Sequence, residues 1–191
     1  MWLDYKQYQA HEQIPLLLKT MQEELAEFLK VKKPTDVADL TWFEKRYGHE
    51  MGDRDIVKLW YVNPSIRDGE ITEWADNFPK TSKLAMELPG IVNFSLNVVS
   101  PGGQCPPHTD YRFDMNPTQT STNRAYVILL AIDIPSTDIN ICGFDLNGDK
   151  QLLLNGDIIS FDGATMHSSW NYSDKYRYTV NMDLSEEYWT I

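Results

Sequence analysis

The chain has 191 residues, 42% of them hydrophobic, which is enough for one domain with a sizeable core and short for two. Its formal net charge is −11, so binding a polyanion would oppose the protein's own field, and we expect no nucleic-acid partner. Two cysteines without paired spacing predict neither a zinc site nor a disulfide framework, which fits a reducing cytoplasm. The polar N-terminus and the lack of an apolar run near the roughly 20 residues that span a bilayer predict neither a signal peptide nor a transmembrane segment.

The first ninety residues are predicted to be mainly helical. Apolar residues over 11–29 recur at spacings of three and four, which is typical of one face of an amphipathic helix. Further helices are predicted over 69–77 and over 83–88, the latter capped by Thr81 and Ser82, with a short strand over 56–62 between the first two. We therefore expect a helical N-terminal layer over 1–90 within a single domain that comprises residues 1–191.

From residue 91 the pattern changes to that of β-strands. Asn147 and Gly148 favour the tight hairpin turns that need positive φ. Short β-branched and apolar runs without intervening helices indicate an antiparallel sandwich or barrel, so the predicted fold is mostly β, with a jelly-roll core over 91–184. The polar segment 114–123 is predicted to be a long loop placed to cover a site. The six predicted strands are 91–99, 125–134, 141–146, 150–154, 157–161 and 176–184.

Three polar residues in this half could face one metal ion. His108 and Asp110 are separated by one residue, so in an extended segment their side chains point to the same face. His167 follows a predicted strand and a glycine-containing turn, which could return it alongside His108 in a closed sheet. Two imidazoles and one carboxylate on one side of iron(II) leave the opposite positions open, as non-haem iron oxygenases require. The His-x-Asp tripeptide alone is weak evidence, because it arises often by chance.

An arginine follows ten residues after His167. Arg177 lies in a predicted strand between Tyr176 and Tyr178, where a buried charge needs a partner. That partner is either a structural Asp or Glu or the carboxylate of a bound co-substrate, which a guanidinium fork fits well. Spacing alone leaves both open, and the metal-type residues upstream favour the co-substrate.

These motifs carry a family resemblance. His108-Thr109-Asp110, His167 and Arg177 resemble the iron triad and co-substrate arginine of the iron(II)/2-oxoglutarate-dependent oxygenases, whose fold is a double-stranded β-helix, a cupin-like jelly roll. The segments 93–108 and 156–183, with Asn123-Arg124 between them, resemble the aspartyl/asparaginyl β-hydroxylase branch, which includes bacterial proline hydroxylases. The animal members use two histidines without a carboxylate ligand, whereas this chain has Asp110.

The resemblance implies an iron(II) site formed by His108, Asp110 and His167, with 2-oxoglutarate and O₂ as co-substrates. By the same resemblance Arg177 binds the distal carboxylate of 2-oxoglutarate. Arg124 reaches either the metal-proximal carboxylate or an acidic group on the substrate. Asn97, eleven residues before His108, lies where the family often has a small polar residue near the distal carboxylate.

The implied function is a dioxygenase that hydroxylates an unactivated C–H bond of an amino acid, a peptidyl residue or a small metabolite, releasing succinate and CO₂. Arg112 is a candidate for a substrate carboxylate, although an exposed arginine at a loop start is the commoner case. Trp170 is a candidate pocket residue, with aromatic core packing as the alternative. Two other functions stay open: a non-catalytic metal- or carbohydrate-binding jelly roll, and a cupin-type dioxygenase that does not use 2-oxoglutarate. The sequence does not indicate an oligomeric state.

Overall fold

Two antiparallel sheets face one another in the computed structural model, which describes residues 1–32, 54–62, 69–71, 73–110 and 125–190. The large sheet has the strand order β1-β9-β6-β11-β4-β2-β3, and the small sheet has the order β5-β10-β7-β8. This arrangement confirms the predicted mostly β fold with a jelly-roll core. The described helices are α1 (Ile14–Phe28) and α2 (Pro79–Met86), and the described strands are β1 (Trp2–Leu3), β2 (Arg54–Val62), β3 (Gly69–Ile71), β4 (Ile91–Val99), β5 (Gly103–His108), β6 (Ala125–Asp133), β7 (Cys142–Leu146), β8 (Asp149–Gln151), β9 (Ile158–Asp162), β10 (His167–Asn171) and β11 (Arg177–Ser185).

Helix α1 confirms the helical periodicity of the N-terminal segment. A short 3₁₀ turn, His11–Gln13, leads into it, and Pro15 occupies its first turn, where a missing N–H costs no hydrogen bond. Its apolar face packs on the outer side of the large sheet. No helix in the described ranges is both long and apolar enough to cross a membrane. The buried positions of α1 are Ile14, Leu17, Leu18, Thr20, Met21, Leu25 and Phe28.

The prediction of a helix over 69–77 is wrong for the first half of that segment. Gly69–Ile71 forms strand β3, which pairs with β2, and only Glu73–Asn77 turns as a 3₁₀ helix. Helix α2 also begins earlier than the predicted Thr81 and Ser82 cap. The backbone N–H groups of Lys80 and Thr81 both donate to the Glu24 carboxylate of α1, at 2.9 Å each. A carboxylate from another helix thus satisfies the N-terminal donors of α2, which local sequence does not reveal.

The first ninety residues are not only a helical layer. Strand β1 pairs with β9 at one edge of the large sheet, and β2 pairs with β4 near the other. The strand predicted over 56–62 is therefore an integral part of the jelly-roll sheet. The boundary expected near residue 91 does not separate helices from strands, because the large sheet draws strands from both sides of it.

The large sheet presents different chemistry on its two faces. Alternate residues of β4 and β11 belong to the apolar cluster that includes α1, for example Phe94, Leu96 and Met182. The opposite face points between the sheets, where β6 and β9 contribute apolar side chains that pack with Phe144 of β7. Strands β4 and β11 instead contribute buried polar residues to this interior: Asn93, Ser95, Asn97, Arg177 and Thr179.

The hairpin between β7 and β8 forms as its sequence predicts. Asn147 and Gly148 have φ values of 54° and 90°, so both central residues adopt the positive φ that a tight right-twisted hairpin requires. Strands β5 and β10 were not predicted as strands, because prolines, serines and histidines give them little β propensity. The expected loop 114–123 lies outside the described residues.

Candidate active site

The two candidate metal histidines meet at the end of one strand pair. His108 is the last residue of β5 and His167 the first residue of β10, and the two are directly paired in the antiparallel ladder. Their ring centroids are 4.3 Å apart with the planes at 53°. The predicted return of His167 to the side of His108 is therefore confirmed, through a strand pair that the sequence did not indicate.

Asp110 brings a carboxylate to both rings. Its Oδ1 lies 3.7 Å from Nε2 of His108, and its Oδ2 lies 3.3 Å from Nε2 of His167. One ligand atom from each of the three residues lies within 4.8 Å of the others. The Asp110 backbone N–H donates to the Gly163 carbonyl at 2.9 Å, which ties the segment after β5 to the turn before β10. The spacing fits a single ion held by two imidazoles and one carboxylate.

Backbone carbonyls fix the orientation of both imidazoles. Nδ1 of His108 lies 2.8 Å from the Pro106 carbonyl, and Nδ1 of His167 lies 2.9 Å from the Thr165 carbonyl. A carbonyl only accepts, so Nδ1 of each ring is the donor in this contact, and Nε2, which faces Asp110, is the nitrogen available to a metal. Such outer contacts are the usual support of metal-binding histidines. The donor set therefore fits a metal ion in chemistry as well as in distance.

The site is closed on one side and open on the other. His167 is buried, with Phe144 stacked on it at 5.9 Å and Phe161 tilted against it at 4.9 Å between centroids. The side chains of His108 and Asp110 retain 20% and 24% of their exposure. Residues His108, Asp110 and His167 would therefore hold a metal between a wall of aromatic rings and a side that is more open to solvent.

Arg177 lies in the same interior, below the histidines. It is the first residue of β11 and only 1% exposed, and its Nη1 donates to the Ser169 hydroxyl at 3.3 Å. Ser169 is two residues after His167, so both side chains point to the same face of β10. Two residues of strand correspond to about 7 Å between the His167 and Ser169 backbones, so Arg177 lies on the same wall of the interior as the candidate metal ligands.

Two further polar groups surround Arg177. Asn97 is 5% exposed on β4, and the ladder pairs it with Thr179, two residues along β11 from Arg177. Burial raises the pKa of the Cys142 thiol, and the positive charge of Arg177 opposes part of that rise. The guanidinium field therefore extends across the interior to β7.

The described part of the chain does not bring every predicted residue to the site. Trp170 lies on the opposite face of β10 from His167, flat against Gly143, with its Nε1 donating to the Ile139 carbonyl at 2.9 Å. It packs on the outer surface of the small sheet and does not line the interior, because it is the third residue after His167 in a strand whose side chains alternate with period two. Arg112 and Arg124 lie outside the described residues.

Two residues of β10 have roles that the sequence analysis missed. Ser169 contacts Arg177, and the fully buried Asn171 connects the end of β4 to the turn before β11. Its amide nitrogen donates to carbonyls of Val99, Ser100 and Lys175 at 3.0, 3.1 and 2.7 Å. Its oxygen accepts from the Cys142 thiol at 3.2 Å. The period-two alternation of small polar residues after His167 was the signal that could have identified both.

The sequence profile of the aspartyl/asparaginyl beta-hydroxylase family matches residues 18–187, which is most of the chain. The chain belongs to this family. The resemblance seen in the motifs around His108, His167 and Arg177 is therefore confirmed, and the family match also includes most of helix α1 and the strands β2 and β3.

Comparisons with solved structures give jelly-roll proteins at low identity. A prolyl-4-hydroxylase from Pseudomonas putida matches with 13% identity over 94% of this chain and 89% of that one, at a TM-score of 0.48. A predicted oxalate decarboxylase from Thermotoga maritima matches with 13% identity over 69% of this chain and 80% of that one, at a TM-score of 0.39. A protein from Photorhabdus luminescens matches with 12% identity and a TM-score of 0.36, over 50% of this chain and only 63% of its own length. No curated protein matches the sequence significantly.

Proposed function

We propose that this family member is an iron(II)/2-oxoglutarate-dependent dioxygenase. It would hydroxylate an unactivated C–H bond of an amino acid, a peptidyl residue or a small metabolite, with succinate and CO₂ as co-products. The observation that carries the proposal is the cluster of His108, Asp110 and His167 on the same interior as the buried Arg177. Family membership supports the hydroxylase part of it.

The chain's own residues would bind and orient the reactants. The side chains of His108, Asp110 and His167 would hold the metal, and the Asp110 carboxylate would offset part of its charge. When bound, iron(II) and 2-oxoglutarate supply the activation of O₂. Phe144 and Phe161 would exclude water from the His167 side, which strengthens the electrostatic contacts within the site.

Arg177 would hold the distal carboxylate of 2-oxoglutarate, with Ser169 fixing its guanidinium and Asn97 beside it. Arg124 would contact either the metal-proximal carboxylate or the substrate, and Arg112 remains a candidate for a substrate carboxylate. The buried arginine favours this function over a plain metal- or carbohydrate-binding jelly roll, which has no use for an internal carboxylate clamp. It also favours it over a dioxygenase without 2-oxoglutarate.

Substitution of Arg177 tests the proposal. We expect the parent protein to bind one iron(II) and, by calorimetry, one 2-oxoglutarate, and to release succinate. Arg177→Leu should weaken 2-oxoglutarate binding by about 100-fold, the usual scale for loss of a buried charge pair, and leave the iron stoichiometry unchanged. Arg177→Lys keeps the charge but loses the two-pronged guanidinium, so its affinity for 2-oxoglutarate should lie between those of the parent protein and Arg177→Leu.

The triad provides the complementary arm of this experiment. His167→Ala should abolish iron binding, while Ser168→Ala, on the outer face of the same strand, should bind iron and 2-oxoglutarate as the parent does. Absence of 2-oxoglutarate binding to the iron-loaded parent protein would rule out the proposed function. Unchanged affinity in Arg177→Leu would assign Arg177 to a structural role.

A further inference from the structure

A second group of polar residues lies on the inner face of the large sheet, beyond Arg177, Thr179 and Asn97. We name it the upper polar row: Asn93 and Ser95 of β4, and Asn181 and Asp183 of β11. The ladder pairs Asn181 with Ser95 and Asp183 with Asn93, so the four form two adjacent cross-strand pairs. Cross-strand partners share a face of a sheet, and the row is therefore one continuous polar surface.

The row faces the interior at the level of the metal ligands. Phe94 and Met182, its neighbours in sequence, pack in the core with α1, so alternation turns the row toward the space between the sheets. Asp183 pairs with Val127, and Val127 pairs with Phe161, whose ring contacts His167. The row thus continues, strand by strand, to the wall of the metal site.

The row contains hydrogen-bond acceptors that the rest of the described chain does not satisfy. Asn93 is 6% exposed, and its amide nitrogen donates to the Ser95 hydroxyl at 3.4 Å, which leaves its oxygen as an acceptor. The side-chain oxygens of Asn93 and Asn181 are both inaccessible to solvent and have no hydrogen-bond partner within the described ranges. Leaving a buried amide oxygen without a donor destabilises a fold, so two on one surface indicate a surface built for a ligand.

We infer that the upper polar row binds the molecule to be hydroxylated, and that it recognises N–H donors of that molecule: an ammonium, a guanidinium or an amide nitrogen. The inference rests on the proposed function and names the substrate chemistry of the same site. Two amide oxygens, a hydroxyl and the Asp183 carboxylate can all accept hydrogen bonds. A carboxylate in the same place would face other acceptors and a negatively charged side chain, in a protein of net charge −11.

Stability measurements test the row without using the reaction. Asn93→Leu and Asn181→Leu replace each amide by an apolar group of similar shape and remove an acceptor that has no donor. A ligand-binding row predicts that melting temperature holds or rises, by about 2–4 °C, in the protein without substrate. A structural row predicts a fall of similar size. Asn140→Leu is the contrasting variant: its exposed amide donates to Asp138 at 3.0 Å, so it shows the effect of removing an amide that has a partner.

Substrate pairs that differ by one nitrogen test the recognised chemistry. The probes are L-lysine with L-norleucine, L-glutamine with L-glutamate, and L-norleucine with hexanoate, each added to iron-loaded protein with 2-oxoglutarate while succinate is measured. In at least one pair, the member with the extra N–H group should stimulate succinate release at least tenfold more than its partner. In Asn93→Leu and Asn181→Leu that ratio should fall toward one.

The outcomes separate this inference from the proposed function. Failure of the parent protein to bind 2-oxoglutarate contradicts the proposed function, whatever the melting temperatures are. With 2-oxoglutarate bound, the inference is overturned if the nitrogen-poor members stimulate equally or better, if no nitrogen-bearing probe stimulates, or if the discrimination survives in both leucine variants. A loss of melting temperature in both variants also overturns it, because the asparagines would then serve the fold.

Discussion

His108 and His167 each use their two ring nitrogens for different tasks. Nδ1 is held by a backbone carbonyl two residues earlier in the chain, and Nε2 faces Asp110. Because the acceptors are backbone atoms, these Nδ1 contacts depend on the local path of the chain. This arrangement makes the turn before β10 and the end of β5 part of the candidate metal site.

Ser169 is the residue through which β10 positions Arg177, and its substitution should show this. Ser169→Ala removes the acceptor of the 3.3 Å bond from Nη1 and should weaken 2-oxoglutarate binding by about fivefold to tenfold, the value of one hydrogen bond. Iron stoichiometry should stay unchanged. Ser168→Ala is the matched control, because the neighbouring hydroxyl lies on the opposite face. Equal affinities in the two variants would show that Ser169 does not position the guanidinium.

Residue spacing correctly predicted that His108, Asp110 and His167 converge, but it predicted their surroundings poorly. His108, Asp110 and His167 were found because two of them share a face in any extended segment and few histidines compete for the role. Trp170 was misplaced for the same kind of reason: an odd offset from His167 puts it on the outer face once the segment is a strand. Ser169 and Asn171 were missed because small polar residues are informative only after that strand is known.

Among the elements, those predicted best have strong internal periodicity. Helix α1 and strand β4 follow from three-and-four spacing and from a β-branched run, respectively. The start of α2 depends on Glu24 of another helix, and the strands β5 and β10 depend on their pairing with each other. Local sequence therefore does not predict these features. Tertiary contacts override propensity at these elements.

Helix α1 should stabilise the protein through one face only. Leu17 is 1% exposed against the large sheet, whereas its neighbour Leu16 is 55% exposed. Leu17→Ala should lower the free energy of unfolding by about 2–4 kcal/mol, through lost burial and the cavity left behind. Leu16→Ala should change it by less than about 0.5 kcal/mol. Midpoints of urea denaturation at constant slope measure both, and similar losses in the two variants would contradict the packing of α1 on the sheet.

At the scale of the whole molecule, the large sheet has an apolar outer face and a partly polar inner face. The outer face packs with α1 and α2 into the larger apolar cluster, and the inner face carries the polar residues to which the proposals assign ligands. A buried polar group without a hydrogen-bond partner destabilises a fold, and the apolar packing on the other side of the same strands offsets that loss. One strand such as β11 therefore serves the core and the site through alternate residues.

Two tyrosines in the larger apolar cluster should make the stability of the protein depend on pH in the alkaline range. Burial raises the pKa of Tyr8, with Tyr188 adding to the rise, and burial raises the pKa of Tyr178, with Asp133 and Tyr176 adding to it. The unfolded chain ionises these phenols near their ordinary pKa of about 10, while the native state keeps them protonated. Above that pH the unfolded state binds fewer protons than the native state, so stability falls as pH rises toward the native pKa values.

Below about pH 10 these two tyrosines should not change the free energy of unfolding. Above that pH, each of them should lower it by up to about 1.4 kcal/mol per pH unit. Tyr178→Phe should reduce the slope of the free energy of unfolding against pH by the contribution of one tyrosine, because phenylalanine keeps the apolar ring and has no proton to lose. Tyr172→Phe, at a side chain 55% exposed, should leave the alkaline slope of the parent protein. Urea denaturation from pH 8 to 11 gives the three slopes, and identical slopes in the two variants would show that the buried phenol of Tyr178 does not control alkaline stability.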